Sequence, residues 1–208
     1  PLLNQPGAGA NTGTSYNFFR TNLEYIQSTV NPTWRLGSGG ISQSFWFKMG
    51  AQYGNDACFI SYYDTSKGAH WFDSGVNNIW YIGVLNLHMY VQHSDGIGGY
   101  ATANITDFAT TYFDNNWHHF VSSWTGGVGT GNVNVYVDGG LVVSADSTIT
   151  APRTAASEQF LISGEFAANV VNQSLDANLD QVCLWNRGLT ASEVAELYNS
   201  GSGLQYSV

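Results

Sequence analysis

The sequence predicts an all-β protein of many short strands, closed by one short C-terminal helix. Three observations carry that expectation. The chain has 24 glycines beside 7 Trp, 12 Tyr and 11 Phe, a composition that favours short strands and tight turns over long amphipathic helices. Its apolar residues alternate with polar ones in short runs punctuated by glycine, asparagine and aspartate. A single stretch near the C-terminus carries helix start signals. At 208 residues the chain suits one large all-β domain, and nothing in its middle reads as a linker.

Residues 1–15 are polar, glycine-rich and aperiodic, and read as an N-terminal arm that either folds back onto its own domain or is held by a neighbouring molecule. Residues 16–208 read as one domain. Strand signals cover 16–27, 41–49 and 57–63, then a hairpin of 79–85 with 87–93, then 99–105. A second hairpin joins 117–124 to 132–138 across the loop 126–131. Asp138-Gly139 is a tight-turn signal leading into 141–143. A strand at 160–163 precedes the closing unit, and no fixed-period repeat is present.

The closing unit begins with an alternating strand, 179–186, in which Val182 and Leu184 oppose Cys183 and Trp185, so both faces of this strand are expected to be covered. Thr190 lies three residues before Glu193, the spacing of a capping box, and Leu189 and Val194 flank it as a hydrophobic staple. Leu197 and Tyr198 continue the apolar stripe. Gly201 stands where a left-handed residue would end the helix.

Residues 179–201, LDQVCLWNRGLTASEVAELYNSG, resemble the closing signature of laminin-G-like domains in the concanavalin A-like lectin/glucanase superfamily. Ser44-Phe45-Trp46-Phe47-Lys48, Trp117-His118-His119-Phe120-Val121 and Asn134-Val135-Tyr136-Val137-Asp138-Gly139 follow the family's order. The resemblance implies a two-sheet jelly roll, commonly a sugar-binding or adhesive module and often calcium-dependent. It also implies an extracellular, cell-surface or virion-surface setting.

Six basic residues against fifteen acidic ones give a net charge of −9, which repels phosphate backbones and anionic membrane surfaces, so no nucleic acid is expected as a partner. No apolar run is long enough for a transmembrane helix, and no membrane insertion is expected. Cys58 and Cys183 sit in apolar strand contexts and suit either two buried thiols or one disulfide. Asn104-Ile105-Thr106 and Asn172-Gln173-Ser174 have the form of glycosylation sequons.

Catalysis is not expected. No glutamate has an acidic neighbour two residues away, so the paired-carboxylate motif of the superfamily's glucanases is missing, as is any Gly-x-Ser-x-Gly elbow. The glycines of 126–131 lack the Lys-Ser/Thr of a phosphate loop and read as a hairpin loop. His118 and His119, adjacent on a strand, face opposite sides and cannot chelate one ion together.

Two candidate sites remain. Asp176, Asn178 and Asp180 project their oxygens to one side of an extended chain, the chemistry of a structural Ca²⁺ site, with a solvated edge and backbone hydrogen bonds as the other reading. Asp180 matches an acidic position in the family's closing signature; Ala177 stands where the family usually has glycine. The second is a polar-aromatic face of His88, Tyr90, Gln92, Tyr100, Thr102 and Asn104, with Asn134 and Tyr136 on the next hairpin. Flat aromatics and amides suit sugar binding, and equally a subunit interface. The function expected is therefore a non-catalytic lectin-like module for a glycan or glycoprotein. The alternative is a structural or decorating subunit of a virion or surface appendage, as a homo-oligomer or larger assembly.

Overall fold

The computed structural model describes residues 2–9, 12–28, 39–50, 57–64, 78–85, 88–94, 100–150, 158–167, 170–172 and 174–204. The strands are β1 (Leu2–Pro6), β2 (Thr14–Phe18), β3 (Ile26–Gln27), β4 (Ile41–Met49), β5 (Ala57–Asp64), β6 (Asn78–Leu85), β7 (His88–Ser94) and β8 (Tyr100–Ile105). The chain continues with β9 (Trp117–Trp124), β10 (Gly129–Val137), β11 (Gly140–Ser147), β12 (Glu158–Ile162), β13 (Glu165–Ala167), β14 (Val170–Asn172) and β15 (Ala177–Trp185). Two short helices, α1 (Phe108–Tyr112) and α2 (Ala191–Tyr198), complete it.

The strands form an antiparallel two-sheet sandwich. One sheet runs β1-β2-β15-β4-β9-β10-β11 and the other β8-β7-β6-β5-β12-β3; the two are hydrogen-bonded at one margin, where Ser147 of β11 pairs with Ala101 of β8. β13 and β14 make a separate two-stranded hairpin. The alternation in β4, β9 and β10 turns Phe45, Phe47, Phe120, Val133, Val135 and Val137 inward, where they meet Met89, Val91, Ala103 and Ile105 of the facing sheet in one core. Phe45 stacks between Phe59 and Phe120, with ring centroids 5.1 and 5.0 Å away.

The 16–27 strand signal resolves into three pieces. β2 ends at Phe18, a 3₁₀ turn spans Arg20–Asn22, and β3 resumes in the other sheet, because Leu23 takes a left-handed conformation with φ of 50° and redirects the chain. α1 was not legible in the pattern. It is short and tucks Phe108 into the core against Phe47, Phe113 and Phe120.

The N-terminal arm folds back. β1 pairs antiparallel with β2, so the segment read as aperiodic extends the first sheet within its own chain. Asp138 and Gly139 have φ of 51° and 77°, the paired left-handed residues of a two-residue hairpin turn between β10 and β11.

The closing unit forms as the sequence indicates. Val182 and Leu184 pack on the main core while Trp185 packs against a second cluster of Val121, Tyr136, Leu189 and Val194 on the outside of the first sheet. Thr190 accepts from the Glu193 N–H and Glu193 accepts from the Thr190 N–H, completing the capping box. Helix entry is also fixed by two buried serines absent from the sequence reading. The Leu189 N–H donates to Ser42 Oγ at 2.9 Å and Ser123 Oγ at 2.8 Å. Their hydroxyls donate in turn to the carbonyls of Arg187 and Leu189. The helix ends earlier than expected: Asn199, not Gly201, is the first left-handed residue, with φ of 48°, and its Nδ2 donates to the Gly203 carbonyl at 2.8 Å. Asparagine tolerates this conformation better than most residues, so the chain need not wait for the glycine.

Cys58 and Cys183 are thiols and no disulfide joins them; they lie in different sheets, and Cys58 Sγ donates to the Ile82 carbonyl. Among the described residues no helix is long and apolar enough to cross a membrane.

Candidate functional site

The structure separates Asn134 and Tyr136 from the rest of the polar-aromatic face expected from alternation. Val133, Val135 and Val137 of β10 share the core with Ala103 and Ile105 of β8, so the residues between them point to opposite outsides of the sandwich. Tyr136 is only 7 % exposed and lies beneath α2 with Val121, Leu189 and Val194; burial raises its phenol above the ordinary value. It stacks no ligand. Asn134 stays on that sheet and donates from Nδ2 to the Gly131 carbonyl at 3.1 Å.

On the other sheet Thr102 and Asn104 are exposed, and the register sets Tyr90 opposite Asn104, Gln92 opposite Thr102 and Tyr100 opposite Ser94. The side chains of His88, Tyr90, Gln92 and Tyr100 lie outside the described residues, as does Gln173 of the second sequon.

His118 and His119 do face opposite sides. His118 lies between two carboxylates, Nδ1 at 2.7 Å from Asp138 Oδ2 and Nε2 at 3.1 Å from Asp114 Oδ1. The Asp138 hydrogen bond, aided by Asp114, holds its imidazole above the ordinary value, although partial burial opposes the shift. Asp114 is lowered to about 2, chiefly by its hydrogen bonds with Asn116. His119 is buried beneath the end of α2 beside Trp46 and Tyr198, with ring centroids 4.9 and 6.2 Å away, and burial pushes its imidazole down to about 4.

Asp180 is 6 % exposed, and both of its oxygens are engaged by backbone. Oδ2 accepts from the Ala8 N–H at 3.1 Å and Oδ1 from the Gln181 N–H at 2.8 Å, with Thr12 adding a side-chain hydrogen bond. Burial raises its carboxyl above the ordinary value in spite of these donors. Asn178 pairs in register with Lys48, whose ammonium belongs to the same face, and Asp176 stands just before the strand begins. No three acidic or histidine side chains converge among the described residues. A donor set whose best carboxylate is spent on N–H groups, beside a lysine, does not fit a hard cation that wants six or more oxygens.

Asp180 instead borders the concave feature that the sequence reading missed. β2 pairs with β15 only from Ala177 to Leu179, because Gln181 takes φ of 45° and a bulge shifts the register before Cys183. The gap so created, facing the β3 and β12 margin of the other sheet, is a cleft of about 230 Å³. Phe18, Leu179, Val182, Ile26 and Ile162 form its apolar walls, and Ile26 and Ile162 are themselves cross-strand partners. Thr14, Tyr16, Asp180 and Gln181 supply its polar groups. Tyr16 is 39 % exposed, with its ring centroid 6.4 Å from that of Phe18. Gln181 donates from Nε2 to the Leu204 carbonyl. The sequence signal that could have found the cleft is Tyr16, an aromatic residue in the first strand.

Comparison with solved structures finds the same architecture in other proteins. An HCR/D mutant domain superposes with a TM-score of 0.63 at 12 % identity, covering 95 % of this chain and 46 % of its own. The native heptameric SAP-like pentraxin from Limulus polyphemus gives 0.61 at 12 % identity, covering 98 % and 83 %. The botulinum neurotoxin serotype D ligand binding domain, in complex with N-acetylneuraminic acid, gives 0.53 at 12 % identity, covering 85 % and 40 %. The chain thus spans less than half the length of the HCR/D mutant and of the neurotoxin domain. At these identities the likeness is one of fold. No curated protein matches by sequence. The family profile described as Laminin_G_3, concanavalin A-like lectin/glucanases superfamily, matches residues 21–195, and the chain belongs to that superfamily.

Proposed function

We propose that this domain is a non-catalytic, lectin-like module that binds a glycan or glycoprotein in the cleft beside Tyr16. The observation that carries the reading is the combination at one concavity of a part-exposed tyrosine, apolar walls and the hydroxyls of Thr14 and Tyr16. A sugar ring has apolar C–H faces and a circumference of hydroxyls, and needs that pairing of surfaces. The sharing of the fold with the botulinum neurotoxin serotype D ligand binding domain, captured with N-acetylneuraminic acid, supports it. An extracellular or surface setting accords with the same relatives.

The non-catalytic part of the reading rests on the carboxylates. Among the described residues that line the cleft, Asp180 is the only acid, with no second beside it to form the pair that glycoside hydrolysis requires. Glu193 is committed to Arg187 and the helix cap. The alternative of a virion or appendage subunit drew on low charge, abundant Asn, Ser, Thr and Gly, and the N-terminal arm; β1 pairs within its own chain, which bears on the last of these grounds alone. Homo-oligomerisation remains compatible with binding.

A glycan array probed with the labelled domain and with Tyr16→Ala tests the proposal. Binding to a defined set of glycans, lost in the variant while the fold is retained, is the expected result. A blank array, or hits that survive Tyr16→Ala unchanged, would overturn it.

A further inference from the structure

We infer that the cleft takes a neutral, N-acetylated hexosamine, with the acetyl methyl seated between the apolar walls; this rests on the glycan-binding reading above and narrows it. The first ground is the inner surface. Phe18, Leu179 and Val182 on one side and the Ile26–Ile162 pair on the other leave no polar partner deep in the cleft. A hydroxyl pushed there would lose its water without gaining a hydrogen bond, whereas a methyl group is favoured. An unsubstituted hexose carries no such group.

Size is the second ground. At about 230 Å³ the cleft is smaller than the roughly 300–1,000 Å³ of pockets for drug-sized ligands, so it admits one ring edge and its substituent and no longer chain segment.

The polar rim is the third. An acetamido group places one N–H and one C=O directly beside its methyl. Thr14 and Tyr16 bring hydroxyls, each able both to donate and to accept, so both halves of the amide find complements next to the apolar walls. A 6-deoxy sugar brings a methyl but no amide.

Charge is the fourth. Among the described residues that line the cleft Asp180 is the one carboxylate, and no lysine or arginine accompanies it. A sugar acid would set like charges together in a site without a cation, on a chain that already carries −9.

The experiment is isothermal titration of the purified domain with four methyl glycosides, those of N-acetylglucosamine, glucose, fucose and N-acetylneuraminic acid. Saturation-transfer NMR follows on whichever of them binds. The N-acetylglucosaminide is expected to bind on the order of tenfold more tightly than the glucoside, the discrimination an apolar substituent gains in an apolar pocket. Its acetyl methyl is expected to receive the strongest saturation, and Tyr16→Ala to abolish both signals. Equal binding of the glucoside, or tighter binding of the fucoside or sialoside, would overturn the inference and leave glycan binding standing. Silence from all four would also overturn it, and the array result then decides the broader reading separately.

Discussion

Asp180 and Ala8 stand 172 positions apart in the chain, yet the Asp180 carboxylate accepts the Ala8 N–H at 3.1 Å. This contact anchors the turn between β1 and β2 to the bulged centre of β15. Thr12 and the turn's own hydrogen bonds, Gly7 N–H to Gly13 carbonyl and Gly9 N–H to Thr12 Oγ, hold it in shape. Gly7 is required there: a Cβ would lie 2.5 Å from the Gly13 carbonyl oxygen and 2.9 Å from Asp180 Oδ2.

Asp180→Ala should therefore cost about 2 kcal/mol, the scale of a charged hydrogen bond lost with its buried donors left unmade. Thermal unfolding and hydrogen exchange at Ala8 read the effect. Because the carboxylate is occupied by N–H groups, a chelator should leave the melting midpoint of the wild-type domain unchanged. A midpoint that falls with chelator and returns with Ca²⁺ would restore the metal reading of Asp176, Asn178 and Asp180.

Helix α2 should respond to both of its fixings. Thr190→Ala removes the cap and should lower stability by about 1 kcal/mol. Ser123→Ala leaves the Leu189 carbonyl without the hydroxyl that donates to it and is expected to cost about 1–2 kcal/mol. An unchanged denaturation midpoint in both variants would show that packing of Leu189 and Val194 alone holds the helix.

The adjacent histidines should make opposite contributions to the pH dependence of stability. His118 has a raised folded value, so its contribution is complete below the ordinary histidine value of about 6.5 and is lost as pH rises through the folded one. His119 is depressed to about 4 in the fold, so the unfolded chain binds its proton first and stability falls as pH drops from about 6.5 towards 4. Two-dimensional NMR titration of the ring protons checks both, and Asp138→Asn should bring His118 back towards its ordinary value. Parallel titration of the two rings would contradict this account.

How much of this was legible follows the range of the interactions. The bounds of β4 and β9, the hairpin turn at Asp138-Gly139 and the capping box at Thr190 were readable because each is set by residues within a few positions of one another. The inward and outward sides of β8 and β10 were equally plain from alternation. What alternation cannot tell is which outside a residue reaches, so Asn104 and Tyr136 were grouped although a whole sandwich separates them. The cleft escaped for a related reason. It depends on a bulge at Gln181 and on the meeting of β2, β15, β3 and β12, none of which is encoded locally. Asp180 was singled out as a calcium ligand, with backbone hydrogen bonds at a solvated edge as the other reading; the backbone hydrogen bonds are there but the residue is buried, and its partner in the N-terminal turn was beyond any pattern in the sequence.

The central claim is that the cleft beside Tyr16 is where a glycan binds. Its most direct measurement is a backbone amide NMR titration of the ¹⁵N-labelled domain with a sugar selected by the array. The account predicts that the largest shift changes fall on Tyr16, Phe18, Gln181 and Val182, with Thr102 and Asn104 unmoved. Changes centred on Thr102 and Asn104, with the cleft silent, would contradict it and move the site to the outer face of the β7–β8 sheet.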